Sequence, residues 1–215
     1  MKKYSRFLSF AFALLMMFSF NISVNAQENE ELVVNFSEFQ FVTDDYNPNE
    51  VHIEYKKDGM KENAYIIDND SGKTLETMSI LTAGYRVSDI HPYTFTRSVS
   101  YGGTTIEFNM NVELYNRGSF RSINSYQGGY VGIATSVTTT RLEGSNHDAW
   151  SPKGFPTDEL YYAFNGTVVA EVYSSTSVSA TADLLGAGFS VSGTTGGTTY
   201  YRRSFNSTGI VKLYE

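Results

Sequence analysis

The chain has no cysteine in its 215 residues, which excludes disulfides and thiolate metal sites. Tryptophan occurs once and proline four times. Bases are scarce as well: 16 Lys and Arg face 23 Asp and Glu, a formal net charge of −7. That balance opposes non-specific nucleic-acid binding, which needs a positive footprint, and offers nothing to an anionic membrane surface. Catalytic signatures are missing too. His52, His91 and His147 lie far apart, and none belongs to an HExxH pattern. Gly188-Phe189-Ser190-Val191-Ser192 comes nearest to a Gly-x-Ser-x-Gly elbow and fails at Ser192. No glycine loop carries the lysine of a phosphate cradle. The reading is of a non-enzyme with no cofactor.

There is one long apolar run. Lys2, Lys3 and Arg6 precede the uncharged stretch Phe7–Phe20, and Val24-Asn25-Ala26 ends the segment with small residues where a signal peptidase reads. Fourteen residues fall short of the ~20 a spanning helix needs. Residues 1–26 therefore read as a signal peptide, leaving no stable membrane span in the remainder. The chain is then secreted, and the lack of cysteine suggests a Gram-positive bacterial exoprotein. Removing the signal takes three bases and no acid, so 13 bases face 23 acids and the charge falls to −10.

The rest divides by composition into an acidic β segment, 27–92, and a Thr/Ser/Gly/Tyr-rich β domain, 93–215. Val51, Ile53 and Tyr55 alternate with polar residues, the period of a half-buried strand. Asp68-Asn69-Asp70-Ser71-Gly72-Lys73 is turn chemistry between two strands. Ile106, Phe108, Met110, Val112 and Leu114 alternate with Glu107, Asn109, Asn111 and Glu113, which predicts a strand with one apolar and one wet face. Gly102-Gly103 before it predicts a two-residue hairpin loop. Gln127-Gly128-Gly129, Asn165-Gly166 and Ser207-Thr208-Gly209 read as further turns, and Val172–Ala182 as a surface strand. No stretch after the signal shows helical periodicity. The predicted fold is all-β, an antiparallel sandwich or barrel built from hairpins.

Two segments invite a functional reading. Asp68 and Asp70 resemble a weak calcium site, but the calcium-loop pattern wants its glycine one residue later and a glutamate where Ser79 stands. Glu143–Glu159 reads as a long connection holding the only tryptophan, with Trp150 and Phe155 as apolar anchors and His147 and Asp148 as polar contacts. Tyrosines interleaved with glycine at 126–130 and 196–201 add surfaces that could stack on sugar rings. The function expected is that of a secreted, non-enzymatic binding or surface-interaction protein for an extracellular or cell-surface ligand. The alternative is a secreted β-pore-forming or antagonistic toxin, with Val172–Ala182 as its lipid-facing strand.

Overall fold

The structure is a computed structural model that describes residues 30–82, 89–173 and 178–214. The expected signal peptide and the stretch 83–88 of the segment junction lie outside the described residues. The elements run β1 (Leu32–Asn35), β2 (Phe39–Thr43), β3 (Val51–Asp58), β4 (Lys61–Asp68), β5 (Thr74–Thr82), β6 (Ile90–Tyr101), β7 (Thr104–Arg117), β8 (Phe120–Thr135), β9 (Thr139–Trp150), β10 (Glu159–Tyr173), α1 (Val178–Gly186), β11 (Ser190–Thr195) and β12 (Thr198–Leu213). Among the described residues no helix is long and apolar enough to cross a membrane.

The strands form two antiparallel sheets that face each other. One is the meander β3-β4-β5-β6-β7-β8; the other has the order β1-β2-β12-β10-β9, with β11 also paired to β12. Residues of the acidic segment enter both sheets, because β2 pairs with β12 and β5 with β6. The inner faces meet through aromatic side chains. Phe39 and Phe41 pack edge-on against Phe95 at 4.8 and 5.2 Å, and Phe108 stacks on Phe164 at 4.6 Å. Each such buried side chain contributes roughly 1.5–3 kcal/mol. The architecture is an all-β sandwich.

Sequence periodicity explains the best-formed strand and one surprise within it. Ile106, Phe108, Met110, Val112 and Leu114 are all buried, as the alternation predicts. The opposite face is polar, and Glu107, Asn111 and Glu113 on it are half-exposed. Asn109 is buried, and its Oδ1 accepts from Thr96 Oγ1 at 2.6 Å; Asn111 Oδ1 accepts from Thr94 Oγ1 at 2.8 Å, and Glu113 Oε2 from Ser125 Oγ at 2.6 Å. Side chains of the flanking strands hydrogen-bond across this face, and Asn109 Nδ2 beneath them has no partner.

Glycines explain where turn prediction succeeds and where it fails. Gly102 and Gly103 both have positive φ and join Tyr101 to Thr104 in two residues, as expected. Gly166 and Gly209 make no turn, since β10 and β12 run straight through them. They are cross-strand partners of Phe205 and Tyr162, respectively. A Cβ on Gly166 would lie 2.8 Å from Phe205 Cζ, and one on Gly209 would lie 2.7 Å from Tyr162 Cζ and from the Val42 carbonyl. Each strand therefore supplies a glycine over which the other strand's aromatic ring lies. Gly128-Gly129 likewise falls inside β8, at a register shift opposite Met110 and Val112, where a Cβ on Gly129 would collide with the Asn109 carbonyl.

Val172–Ala182 is also not one strand. β10 ends at Tyr173, and α1 begins at Val178. Ala180, Ala182, Leu184 and Leu185 favour helix, and the end is set by Gly188 at φ +81. Phe189 N–H donates to Leu184 O at 3.0 Å and Gly188 N–H to Leu185 O at 3.0 Å, a Schellman cap. Leu184 and Phe189 are both buried in the core, and this tertiary burial overrides the Ser/Thr-rich composition.

Candidate functional site

The expected long loop is mostly strand. β9 continues to Trp150, so only 151–158 connects it to β10. The polar residues Ser145, Asn146 and Asp148 belong to a sheet-edge strand whose exposed side chains mimic a loop in composition. The short connection is anchored by Thr157, which exchanges backbone hydrogen bonds with Ile123 at 2.7 and 2.9 Å. The pleat then separates the four expected site residues. His147 turns toward the core, its ring 6.4 Å from that of Phe108. Asp148 and Trp150 point to the opposite, solvent face, and Phe155 stands exposed in the connection.

Asp68 is committed to its own turn. It accepts from the Ser71 amide at 2.8 Å and from the Ser71 hydroxyl at 2.5 Å, and these bonds hold its carboxyl below the usual range. Asp70 is exposed beside it. Among the described residues, no group of three or more His, Asp or Glu side chains is placed to hold a metal ion.

Trp150 heads a larger arrangement. In strand register it lies beside Tyr161, Tyr161 beside Ile210, Ile210 beside Val42, and Val42 beside Val33. One residue from each of β9, β10, β12, β2 and β1 thus forms an apolar stripe across the outer face of the sheet. At ~4.8 Å per strand it is about 19 Å long. Trp150 and Tyr161 stack with centroids 6.1 Å apart and planes 27° apart. Trp150 is 43 % and Val33 41 % exposed, whereas Val42, next to Val33, is nearly covered. A polar row runs alongside: Glu159, Lys212, Gln40 and Asn35, also in register. Within it Lys212 pairs with Glu159 at 3.6 Å, and Gln40 donates to Asn35 at 2.9 Å.

The inner face holds the opposite anomaly, a charged cluster in the core. Arg97 occupies the inward phase of β6, between Phe95 and Val99, and its side chain is 2 % exposed. Its Nε donates to Glu76 Oε1; Nη1 donates to Tyr162 OH at 2.8 Å and Ser207 Oγ at 2.7 Å; Nη2 donates to Glu76 Oε2 at 2.7 Å and Asp45 Oδ2 at 2.8 Å. All five guanidinium N–H groups are used. Tyr46 adds a hydroxyl bond to Glu76 Oε2 at 2.8 Å, and Ser207 Oγ donates to Asp45. The guanidinium also lies over the rings of Phe164 and Tyr162, at 5.4 and 5.6 Å. Burial drives the Tyr46 hydroxyl strongly upward and the Tyr162 hydroxyl to about 12, Arg97 pulling against the second shift. Burial disfavours the charged guanidinium, but Glu76, Tyr162 and Asp45 together outweigh it and hold Arg97 well above its ordinary value.

The sequence reading missed this cluster, although its signal was present. Arg97 falls in phase with Tyr93, Phe95, Val99 and Tyr101, and Glu76 in phase with Met78 and Ile80. A charge at the apolar phase of two neighbouring strands points to a buried pair. The stripe was missed because its residues are scattered over five strands, from Val33 to Ile210. The comparisons add no relative: no family model, no curated protein and no solved structure was found that matches this chain.

Proposed function

We propose that this chain is an exported, non-enzymatic binding protein whose outer sheet face engages a neutral glycan at a cell surface. The observation that carries this reading is the stripe Trp150–Tyr161–Ile210–Val42–Val33, apolar on a face where strands normally turn polar residues to water. Stacked, partly open aromatic rings offer flat apolar area to the C–H face of a sugar. The polar row beside them, its one ion pair internally neutral, offers hydrogen bonds to hydroxyls without attracting a strongly charged partner. An acidic chain further disfavours an anionic polymer. The non-enzymatic reading is supported by how the buried carboxylates are spent: both oxygens of Glu76 are engaged by Arg97 and Tyr46, which leaves no free acid or base there. The toxin alternative rested on Val172–Ala182 as a lipid-facing strand, and from Val178 onward that stretch is α1.

Co-sedimentation with insoluble polysaccharides (chitin, cellulose and a neutral bacterial cell-wall fraction) tests the proposal, with Trp150 fluorescence as a second readout. Retention on at least one polymer, lost on Trp150→Ala, is the expected result. A protein that stays in the supernatant with all of them, or a variant retained as well as the parent, would overturn it.

A further inference from the structure

β12 carries a second opening, on its other face and unrelated to the stripe. One edge of β12 is paired with β10 along its length, but the other is shared by two short strands. β2 takes residues 210–213 and β11 takes 198–202, so residues 203–209 have no strand partner on that edge among the described residues. A cavity of about 380 Å³ opens there, between the two sheets. Its size falls at the lower end of the range for small-molecule sites.

The lining divides into spent and unspent groups. Arg97, Glu76 and Ser207, deep in the cavity, are tied to one another and to Tyr162 and Asp45, so the floor has no donor to give. Leu75, Val99, Phe164 and Phe205 provide apolar wall. Lys73, Tyr101, Arg203 and Asn206 remain, while the Asp45 carboxylate at the opening is held through Oδ2 by Arg97 and Ser207. Among the described residues, neither the Lys73 ammonium nor the Arg203 guanidinium has an ion-pair or hydrogen-bond partner, and the Tyr101 hydroxyl has none either. Arg203 is held in place instead by stacking, 3.9 Å over the Tyr101 ring, and its Nη1 lies where a Cβ on Gly188 would come within 2.8 Å. Gly188 therefore leaves room for the guanidinium beside the backbone. Two unpaired cations and a free hydroxyl around an apolar-walled opening, in a chain of net charge −7, form a local reversal of sign.

We infer that this gap is a binding site for a small organic carboxylate. Its anionic head meets Arg203 and Lys73, and its apolar body lies along Leu75, Val99, Phe164 and Phe205. Arg203 can receive a carboxylate through two parallel N–H bonds, as it could a phosphate, so the choice between them falls to the rest of the lining. The apolar walls make the body of the ligand count as well as its charge.

Calorimetric titration of the full chain with acetate, hexanoate, 3-phenylpropionate and the neutral 3-phenylpropionamide tests the inference, with inorganic phosphate as a control. The expected result is 3-phenylpropionate or hexanoate binding at least tenfold tighter than acetate, no binding of the amide, and weaker binding as salt rises. Arg203→Gln should lower affinity at least tenfold with the melting temperature unchanged. Lys73→Met, in the exposed β4–β5 turn, should lower it several-fold and keeps the test alive should the strand variant fold poorly. Equal affinity for phosphate and 3-phenylpropionate would reduce the site to unselective ion pairing and overturn the inference. So would carboxylate binding untouched by both variants, or no carboxylate binding at millimolar concentration. None of these outcomes bears on polysaccharide retention.

Discussion

The inner and outer faces of the sandwich both break the inside–outside rule, and they break it differently. Inside, Arg97, Glu76 and Asp45 place charge where apolar side chains belong, yet every N–H of the guanidinium has an acceptor. Outside, Trp150, Tyr161, Ile210, Val42 and Val33 place apolar surface where polar side chains belong, and its ends remain open to water. A reversal whose groups are all mutually satisfied is a structural device, because nothing is left to offer a partner. A reversal with unspent surface is a candidate for recognition. Removing a piece of the first should therefore damage the fold, and removing a piece of the second should spare it.

The largest effect is expected at Arg97. Arg97→Met leaves Glu76 buried with no counter-charge, and breaking a buried pair from one side costs roughly 3–5 kcal/mol. Adding Glu76→Leu should return much of that loss, since replacing a buried pair by apolar groups is often close to neutral and the third charge, Asp45, keeps Ser207 and some contact with water. Urea unfolding of the two variants measures this. A single variant within about 1 kcal/mol of the parent would mean the cluster does not hold the sheets together.

High pH probes the same cluster without mutation. Burial raises the Tyr162 hydroxyl from the ordinary 10.0 to about 12 and the Tyr46 hydroxyl further, so the folded chain holds these protons more tightly than the unfolded chain. The corresponding stabilisation is complete below pH 10 and is lost as pH rises toward 12. Each such group contributes a slope of up to about 1.4 kcal/mol per pH unit. Denaturant midpoints should fall steeply between pH 10 and 12, with the last tyrosinate absorbance appearing only on unfolding. If all 16 tyrosines titrate together near pH 10 in a folded chain, the cluster is wetter than the structure shows.

A smaller cost is expected where Tyr162 reaches the cluster. Gly209→Ala pushes a methyl against the Tyr162 ring and against the Val42 carbonyl, which cannot move aside cheaply. Overpacking of this kind costs about 1–3 kcal/mol. Gly118→Ala, with nothing within 4 Å of the new methyl but a φ of +64, separates steric crowding from backbone strain. Crystal structures or chemical-shift maps should show Tyr162 displaced in the first variant only.

How far the fold was legible follows from the same residues. Alternation on 106–114 located the core face of β7, and Gly102-Gly103 located its hairpin, because both signals are local. Gly166 and Gly209 misled because a glycine that makes a turn and one that lies under a neighbour's ring look identical in sequence. Only the register, which sets Gly166 beside Phe205 and Gly209 beside Tyr162, tells them apart. The helix at 178–186 was hidden for a related reason: its weak pattern is completed by burying Leu184 and by a cap formed four residues later. At the candidate site, the single Trp drew attention to a stretch that reads as a loop and is largely β9. Its neighbours could not be read, since they come from strands far apart in the chain and share one face only through pairing.

The smallest effect on stability and the largest on binding are expected at the ends of the stripe. Trp150 is 43 % exposed and rests on Tyr161, so Trp150→Ala should cost about 1 kcal/mol, the size of an aromatic stacking contribution. Val33 is similarly exposed at the far end, on the short edge strand β1, and Val33→Ser should cost less still. If the five residues act as one surface about 19 Å long, a polymer that spans it loses affinity through either variant. A disaccharide seated on Trp150 and Tyr161 loses affinity only through Trp150→Ala. Titrating both variants with a bound polysaccharide and its short oligomers, read by Tyr and Trp fluorescence, distinguishes a stripe from a lone aromatic pair. Val33→Ser without effect on the longest oligomer would shrink the binding surface to the β9–β10 hairpin, and the contrast between inner and outer faces would then rest on two aromatic rings.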